Sequence, residues 1–309
     1  MGSGSWSSRD WDDYKSTVKA APTATIFKSH TVKTELDPKG VTVRESRDSA
    51  DNPNSTAIIV GLDVTGSMGE IAGLLAREGL GVLFTEILDR KPVPDPHLMF
   101  MAVGDMNCDV HPIQTSQFEA DNRIIKQLTD IYLEGGGGGN RFESYEAPWY
   151  FAAQHTSIDC FEKRGKKGFI FTVGDEEAPP GLTKSQIKNF FGDDVQGDYS
   201  SKQLFDMVSK MYHVFHVIVE EGSHARRYMK QVVESWNELI GAQHVLRLSD
   251  HKKLSEVIVS AIQVVQGTDI KTVTTSWSDS TALVVAHALD GMSTSLTTTS
   301  PTGKGVTRL

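Results

Sequence analysis

The sequence predicts an α/β fold, a doubly wound, mostly parallel central sheet flanked by helices. Two observations predict it. The apolar runs TAIIVGLD, HLMFMAVGD, GFIFTVGD and HVFHVIVEE have the length and composition of buried strands, and segments with apolar residues at helical spacing separate them. Parallel strands need such long connections, and alternation of strands with helices places helices on both faces of the sheet. With 39% hydrophobic residues among 309, the chain is long enough for a sizeable core.

The individual elements follow from the same periodicities. The predicted strands are 56–63, 97–105, 168–175, 213–221 and 243–248. The predicted helices are 71–88, 121–133, one that begins near Glu143, and then 184–191, 201–211, 225–240 and 252–265. Three aromatic residues, Trp149, Tyr150 and Phe151, lie in the helix after Glu143, and we expect them to pack that helix onto the sheet.

Composition divides the chain into three parts. Residues 1–55 are rich in Ser, Thr, Asp and Lys and form an N-terminal extension, with one edge strand predicted in VTVRES. Residues 56–266 carry the alternating pattern and form the domain. Residues 267–309 are rich in Ser and Thr, which predicts a flexible, solvated tail with a short apolar segment at 282–289 that can dock on another surface.

Charge and cysteine content limit the possible functions and locations. A net charge of -9 argues against nucleic acid as a partner, because that affinity depends on Lys and Arg neutralising phosphates. The two cysteines form no C-x-x-C pattern, which is typical of a protein from a reducing compartment. The sequence shows no signal-peptide pattern and no run of about 18 apolar residues, so we expect a cytoplasmic protein without a membrane span.

Polar side chains suited to bind a cation follow the first buried strand. The segment IIVGLDVTGSMGE places Asp63, Thr65 and Ser67 at alternate positions. Alternate residues of an extended turn point to the same side, so one carboxylate and two hydroxyls are expected to converge. Such oxygen donors, without Cys or His, are the ligands that Mg²⁺ prefers.

Two further loops are expected to bring oxygen atoms to the same place. In the segment EGGGGGNRFES, Asn140 follows the last glycine and Glu143 lies three residues further on. The strand GFIFTVGD ends at Asp175. Ligands of doubly wound sheets bind where the carboxyl ends of the strands meet. The glycines allow the second loop a close approach, since Gly tolerates positive φ and has no side chain.

These residues resemble those of von Willebrand factor A domains, including prokaryotic and phage-type members. The metal-ion-dependent adhesion site of that family has D-x-S-x-S on the first loop, a Thr on a Gly-rich second loop and an Asp after a central strand. Asp63, Thr65 and Ser67 match the first element, with Thr in place of Ser, and Asp175 matches the third. The second loop departs from the pattern: Asn140 lies near the position of the Thr, with Glu143 as a second candidate.

The resemblance covers about residues 56–265 and implies metal-dependent binding rather than enzymatic turnover. It implies that Thr65 and Ser67 hold Mg²⁺, or Mn²⁺ or Ca²⁺, directly, that Asp63 and Asp175 act largely through water, and that Asn140 offers an amide oxygen. An Asp or Glu from a partner protein then completes the coordination. Prokaryotic members often work with AAA-type ATPases, so such an ATPase is a partner class to test.

Other interpretations remain open at this point. Ser67 and Glu70 have the spacing of a helix capping box, which is compatible with metal binding. The strand that ends in Asp63 and the later Gly-Asp pair also resemble haloacid dehalogenase-like phosphatases, although that family has a second Asp where this chain has Thr65. The glycine run is not followed by Lys-Ser or Lys-Thr, which argues against a nucleotide P-loop. A third class is a structural subunit of a viral or bacterial assembly, such as a virion, whose extensions wrap neighbouring copies.

Overall fold

The computed structural model describes residues 31–68, 70–75, 80–132 and 141–292. These residues form strands β1 (Arg44–Ser46), β2 (Thr56–Asp63), β3 (Pro96–Val103), β4 (Ile113–Thr115), β5 (Thr156–Ile158), β6 (Gly168–Gly174), β7 (Gly181–Leu182), β8 (Tyr199–Ser200), β9 (Tyr212–Val219) and β10 (Val245–Leu248).

Six of these strands form the central sheet, in the order β10-β9-β6-β2-β3-β4. Every neighbouring pair is parallel except β3 and β4, which is antiparallel. The predicted α/β class and the mostly parallel sheet are confirmed. Strand β2 has β3 on one side and β6 on the other, so the chain reverses its winding direction at β2. The carboxyl ends of β2 and β6 therefore lie at the topological switch point, where ligands of such sheets bind.

Helices cover both faces of the sheet. They are α1 (Glu70–Leu74), α2 (Leu80–Arg90), α3 (Arg123–Thr129), α4 (Ala147–Gln154), α5 (Asp159–Glu162), α6 (Lys184–Phe190), α7 (Ser201–Val208), α8 (Ser223–Ile240), α9 (Leu254–Val265), α10 (Ile270–Thr275) and α11 (Asp279–Leu289). In the described part of the chain, none of them combines the length and the apolar character that a membrane crossing requires.

The strands are buried on both faces, which explains why they read as continuous apolar runs. In β2, Ile58 and Val60 belong to the core under α2 and α9, whereas Ala57 and Ile59 belong to the core under α4 and α8. Successive side chains of a strand point to opposite faces, so one strand supplies both cores.

Helix α4 packs onto the second of these cores, as the sequence predicted. Trp149, Tyr150 and Phe151 are all buried there. The ring of Trp149 contacts that of Trp236 edge-on, with centroids 6.0 Å apart. Helix α4 is thereby fixed over the carboxyl half of the sheet, and the segment before it reaches the end of β2.

The C-terminal region differs from the expected solvated tail. Helices α10 and α11 occupy most of residues 270–289, and Val273, Val285 and Leu289 are buried in the core that also contains α9. Burial of these apolar side chains outweighs the Ser- and Thr-rich composition. Residues 293–309 lie outside the described part of the chain.

Other differences concern the ends of elements. The predicted helix 71–88 is described as α1 and α2, with residues 76–79 between them outside the description, and the predicted helix 121–133 is shorter, Arg123–Thr129. The predicted edge strand in VTVRES exists as β1, but it pairs in parallel with β5 in a separate two-stranded sheet. Residues 1–30 of the N-terminal extension lie outside the described residues.

Candidate metal centre

Two buried aspartates lie at the ends of neighbouring strands. Asp63 is the last residue of β2 and Asp175 follows the last residue of β6, and each is 0% exposed. Strands β2 and β6 pair in parallel register, with Leu62 opposite Val173. The sheet itself therefore brings the two carboxylates to one edge.

A chain of hydroxyl groups connects these two carboxylates. Thr65 Oγ1 donates to Asp63 Oδ1 at 2.6 Å, and Ser67 Oγ donates to Asp175 Oδ1 at 2.7 Å. The two hydroxyl oxygens are 3.2 Å apart. Since each hydroxyl hydrogen points to a carboxylate, lone pairs of both oxygens remain to accept a cation. The structure thus brings together four of the five predicted ligands.

The fifth predicted ligand, Asn140, lies outside the described residues, together with the glycine run. Its neighbour in the prediction, Glu143, is described and buried at 2% exposure. The charges of Asp63 and Glu176 act on the Glu143 carboxyl, so the described part of the second loop reaches this edge of the sheet through Glu143.

Backbone groups at the start of α8 hold the two loops in place. Ser223 N–H donates to the carbonyl oxygen of Ser67 at 3.2 Å, and His224 N–H donates to Asp175 Oδ2 at 2.9 Å. Gly222 precedes this helix, and a Cβ there would lie 2.2 Å from the Cβ of Asp175. A larger residue at 222 would displace either the aspartate or the helix, so glycine is required for this close approach.

Tyr145 is a hydrogen-bond donor to Asp63 that the sequence did not predict. Its hydroxyl donates to Asp63 Oδ2 at 2.6 Å. A Cβ at Gly174 would lie 2.1 Å from the Tyr145 hydroxyl oxygen, so glycine at this position makes room for the ring. Asp63 also accepts a hydrogen bond from Thr65 N–H at 2.8 Å. With three donors, the carboxylate is held in one orientation.

Three carboxyl groups of this edge have raised pKa values. Burial raises the pKa of Asp63 to about 7, against the hydrogen bonds from Thr65 and Tyr145, which lower it. Burial and then the charge of Asp63 raise the pKa of Glu143 to about 10, and the same two causes raise the pKa of Glu176 to about 8. Crowded acids without a compensating cation produce such shifts.

Two oxygen atoms among these acids have no hydrogen-bond partner within the described residues: Oε2 of Glu143 and Oε2 of Glu176. Buried polar atoms of this kind are rare, and each calls for an explanation. A divalent cation near these carboxylates would favour their charged forms and accept their lone pairs. The donor set, oxygen alone, fits Mg²⁺. The residues present therefore fit the cation that the sequence predicted.

Asp105 is a further acid that the sequence prediction did not include in the site. It is 0% exposed, and its charge raises the pKa of Glu143 and of Glu176. A signal for it exists, because MAVGD ends the strand beside β2 as FTVGD ends β6 on the other side. Ser144 Oγ accepts from Met106 N–H at 2.9 Å, which joins this loop to the second loop.

Comparison with known proteins finds distant structural likenesses. No family model matches the chain, and no curated protein matches it in sequence. The pilus adhesin SpaC from Lactobacillus rhamnosus GG, in its open conformation, is similar with a TM-score of 0.47 and 8% identity, over 70% of this chain and 31% of that chain. A von Willebrand factor type A protein from Catenulispora acidiphila is similar with a TM-score of 0.38 and 11% identity, over 70% of this chain and 44% of that one. This chain thus spans less than half the length of either structure, and the fold assignment rests on the sheet order and the helices described above.

Proposed function

We propose that this chain is a protein-interaction module of the von Willebrand factor A type, which binds an acidic residue of a partner protein through a divalent cation. The observation that supports this most is the chain of hydroxyls between two buried carboxylates, Asp63–Thr65–Ser67–Asp175. The two hydroxyls are neutral oxygen ligands, and the two carboxylates that orient them add negative charge at the switch point of the sheet.

In this proposal Thr65 and Ser67 bind Mg²⁺ directly, and Asp63 and Asp175 act through water while orienting the two hydroxyls. The second loop supplies its ligand through Asn140 or Glu143. When most direct ligands are neutral, a bound cation keeps its attraction for an incoming carboxylate. We propose binding rather than turnover, since the phosphatase alternative requires a second Asp at the position of Thr65, and both carboxylate oxygens of Asp63 already accept hydrogen bonds from protein donors.

Removal of the hydroxyls tests cation binding with little disturbance to the fold. We expect Ser67→Ala and Thr65→Val each to weaken the binding of Mg²⁺ or Mn²⁺ by about tenfold or more, because each variant loses one hydroxyl ligand while the carboxylates remain. Titration calorimetry measures this affinity. Thr274→Val is the matched control, because this residue of helix α10 is partly exposed and, among the described residues, its hydroxyl donates to the Lys271 carbonyl alone. Equal affinities for the site variants and the control would overturn the assignment of the cation to these residues.

Capture of a partner tests the second half of the proposal. We expect proteins retained on the immobilised chain in Mg²⁺ to be released by a chelator, and the Ser67→Ala variant not to retain them. Hydrolysis of an aryl phosphate serves as the counter-assay. Phosphate release that disappears in Asp63→Asn would contradict binding without turnover and favour a phosphatase instead.

A further inference from the structure

We propose that the partner segment carries several acidic residues, and that Arg141, Arg226 and Arg227 bind those beside the acid that completes the cation's coordination. This inference rests on the proposed function and adds the chemistry of the partner. It identifies a charged interaction surface formed by these three arginines around the metal centre.

These arginines differ from the others in the described part of the chain. Elsewhere in it, each arginine side chain makes an ion pair or a hydrogen bond to protein, as do Arg44, Arg47, Arg90, Arg123, Arg164 and Arg247. The side chains of Arg141, Arg226 and Arg227 are exposed and make neither within the described residues. In a chain with a net charge of -9, three unpaired guanidinium groups in one area are notable, because internal acids are plentiful.

All three arginines belong to segments that contact the metal centre. The carbonyl oxygen of Arg141 accepts from Glu177 N–H at 3.0 Å, two residues after Asp175. Arg226 and Arg227 lie in the first turns of α8, whose His224 N–H donates to Asp175.

The neighbours of Arg226 and Arg227 follow from their positions in helix α8. Arg227 lies three residues after His224 and therefore on the same side of the helix. Arg226 is close enough to Glu221 to lower the pKa of that carboxyl, and Glu221 is already hydrogen-bonded to His251. Glu177 joins the two segments, since its N–H donates to the Arg141 carbonyl and its Oε1 lies 3.7 Å from His224 Nε2. The three arginines therefore belong to segments that meet beside the centre.

Charge decides the class of the partner. A single carboxylate at the cation leaves these guanidinium groups unused, whereas neighbouring carboxylates can bind them bidentately. The proposed function already places one protein carboxylate on the cation, so neighbouring carboxylates of the same segment are the groups that reach the arginines. A polyphosphate is the competing polyanion that the experiment below distinguishes, and the overall negative charge of the chain opposes nucleic acid. An Asp- and Glu-rich protein segment fits both the cation and the arginines.

Two fluorescently labelled peptides of equal length test this inference. One carries four consecutive Asp and Glu residues, and the other carries one Glu among Gln and Ser. We expect Arg226→Gln/Arg227→Gln to weaken binding of the four-acid peptide in Mg²⁺ by about tenfold, measured by fluorescence anisotropy, and to change binding of the one-acid peptide by less than about twofold, since exposed ion pairs contribute modestly.

The control variant Lys210→Gln/Lys271→Gln removes the same charge from exposed sites away from the carboxyl edge. If the arginine variant behaves like this control, or weakens both peptides equally, the inference is wrong. If a chelator leaves binding of both peptides unchanged while the arginine effect persists, the cation proposal fails and the acidic partner stands. Tighter binding of a polyphosphate than of the four-acid peptide would overturn the partner class.

Discussion

The two ends of strand β2 differ in how their acidic residues are neutralised. At the amino end, the acids have cationic partners. At the carboxyl end, the buried acids Asp63, Glu143 and Glu176 have no cationic partner among the described residues. On the amino side, Arg164 donates to Asp48 at 2.6 Å and to the carbonyl oxygen of Ser55 at 2.6 Å. Arg47 donates to Asp159 at 2.8 Å. Burial raises the pKa of Asp48, but the hydrogen bonds from Arg164 and Ser55 and the charge of Arg164 outweigh it and lower this pKa to about 2.

On the carboxyl side, roughly 25 Å away along β2, burial and mutual repulsion act in the opposite direction. The pKa values of Asp63, Glu143 and Glu176 are raised, and no Lys, Arg or His within the described residues makes an ion pair with them. The same strand thus begins in a region whose charges are balanced by protein and ends in one whose charges are not.

We interpret this difference as a division between an end that serves the fold and an end that serves the proposed binding site. Paired acids at the amino end fix β1, α5 and the start of β2 relative to each other. Unpaired acids are costly unless protons or a cation neutralise them. Strained or uncompensated groups of this kind cluster at functional sites. We therefore expect the two regions to respond oppositely to pH, to added cations and to removal of an acid.

The largest expected effect is on the pH dependence of stability. Asp63 and Glu176 bind protons more strongly in the folded state than in the unfolded state, so stability falls as pH rises through their folded pKa values of about 7 and about 8. Without cations, we expect the free energy of unfolding to drop by roughly 4 kcal/mol between about pH 7 and pH 9, measured with urea. About 2 kcal/mol of this comes from Asp63 and Glu176, and the rest comes from Glu143, whose folded pKa of about 10 is raised by burial and by the charge of Asp63.

Excess Mg²⁺ should flatten this dependence, because a bound cation replaces the protons. The amino end contributes nothing in this window, since the stability from Asp48 is present above its unfolded pKa and is lost only as pH falls toward about 2. The pKa values of His97, His213, His216 and His244 are lowered by burial of their rings, so these histidines act only below about pH 6.5. An identical slope with and without Mg²⁺ would show that the acids are not at a cation site.

The next largest effect is expected from breaking the balanced end. Asp159 is 1% exposed as a side chain and accepts from Arg47 and from Asp48 N–H, both at 2.8 Å. Asp159→Asn removes the charge that Arg47 pairs with, and we expect a loss of about 2 kcal/mol in unfolding free energy, with or without Mg²⁺.

The control for this variant is Asp194→Asn, which breaks an exposed contact with Lys188 and should leave stability unchanged. A loss at Asp159 that depends on Mg²⁺ would contradict the separation of the two regions.

Sequence patterns predicted five of the six strands of the central sheet, all but the short antiparallel β4, and the positions of most residues of the candidate site. Long apolar runs predict β2, β3, β6 and β9 because strands buried on both faces need apolar residues throughout. Asp63 and Asp175 were predictable because they follow two such runs, and parallel strands end at the same edge. The hydroxyls of Thr65 and Ser67 follow from the alternation of side chains in an extended turn.

The remaining parts depend on contacts between distant segments. Tyr145 reaches Asp63 only because Gly174, on another strand, leaves room for its ring. Helices α10 and α11 form because they pack against an apolar surface made by α9, and the local composition of residues 270–289 does not reveal that surface. Charge balance is also a tertiary property: Asp48 and Glu143 look alike in sequence, and only their neighbours distinguish them.

The smallest expected effect, and the one of opposite sign, comes from removing an acid at the unbalanced end. Glu143→Gln keeps the shape of a side chain that is 2% exposed and whose Oε2 has no hydrogen-bond partner within the described residues. It removes a carboxyl that must take up a proton on folding at about pH 8, because its folded pKa is about 10, whereas Gln needs none. Without cations at about pH 8, we expect a gain of about 1 kcal/mol in unfolding free energy. The same variant should bind Mg²⁺ more weakly, because the site loses negative charge. Stability and cation affinity therefore change in opposite directions here, whereas Asp159→Asn lowers stability and leaves affinity unchanged. A Glu143→Gln protein that is destabilised without cations would mean that this carboxyl serves the fold, and the contrast between the two ends of β2 would not hold.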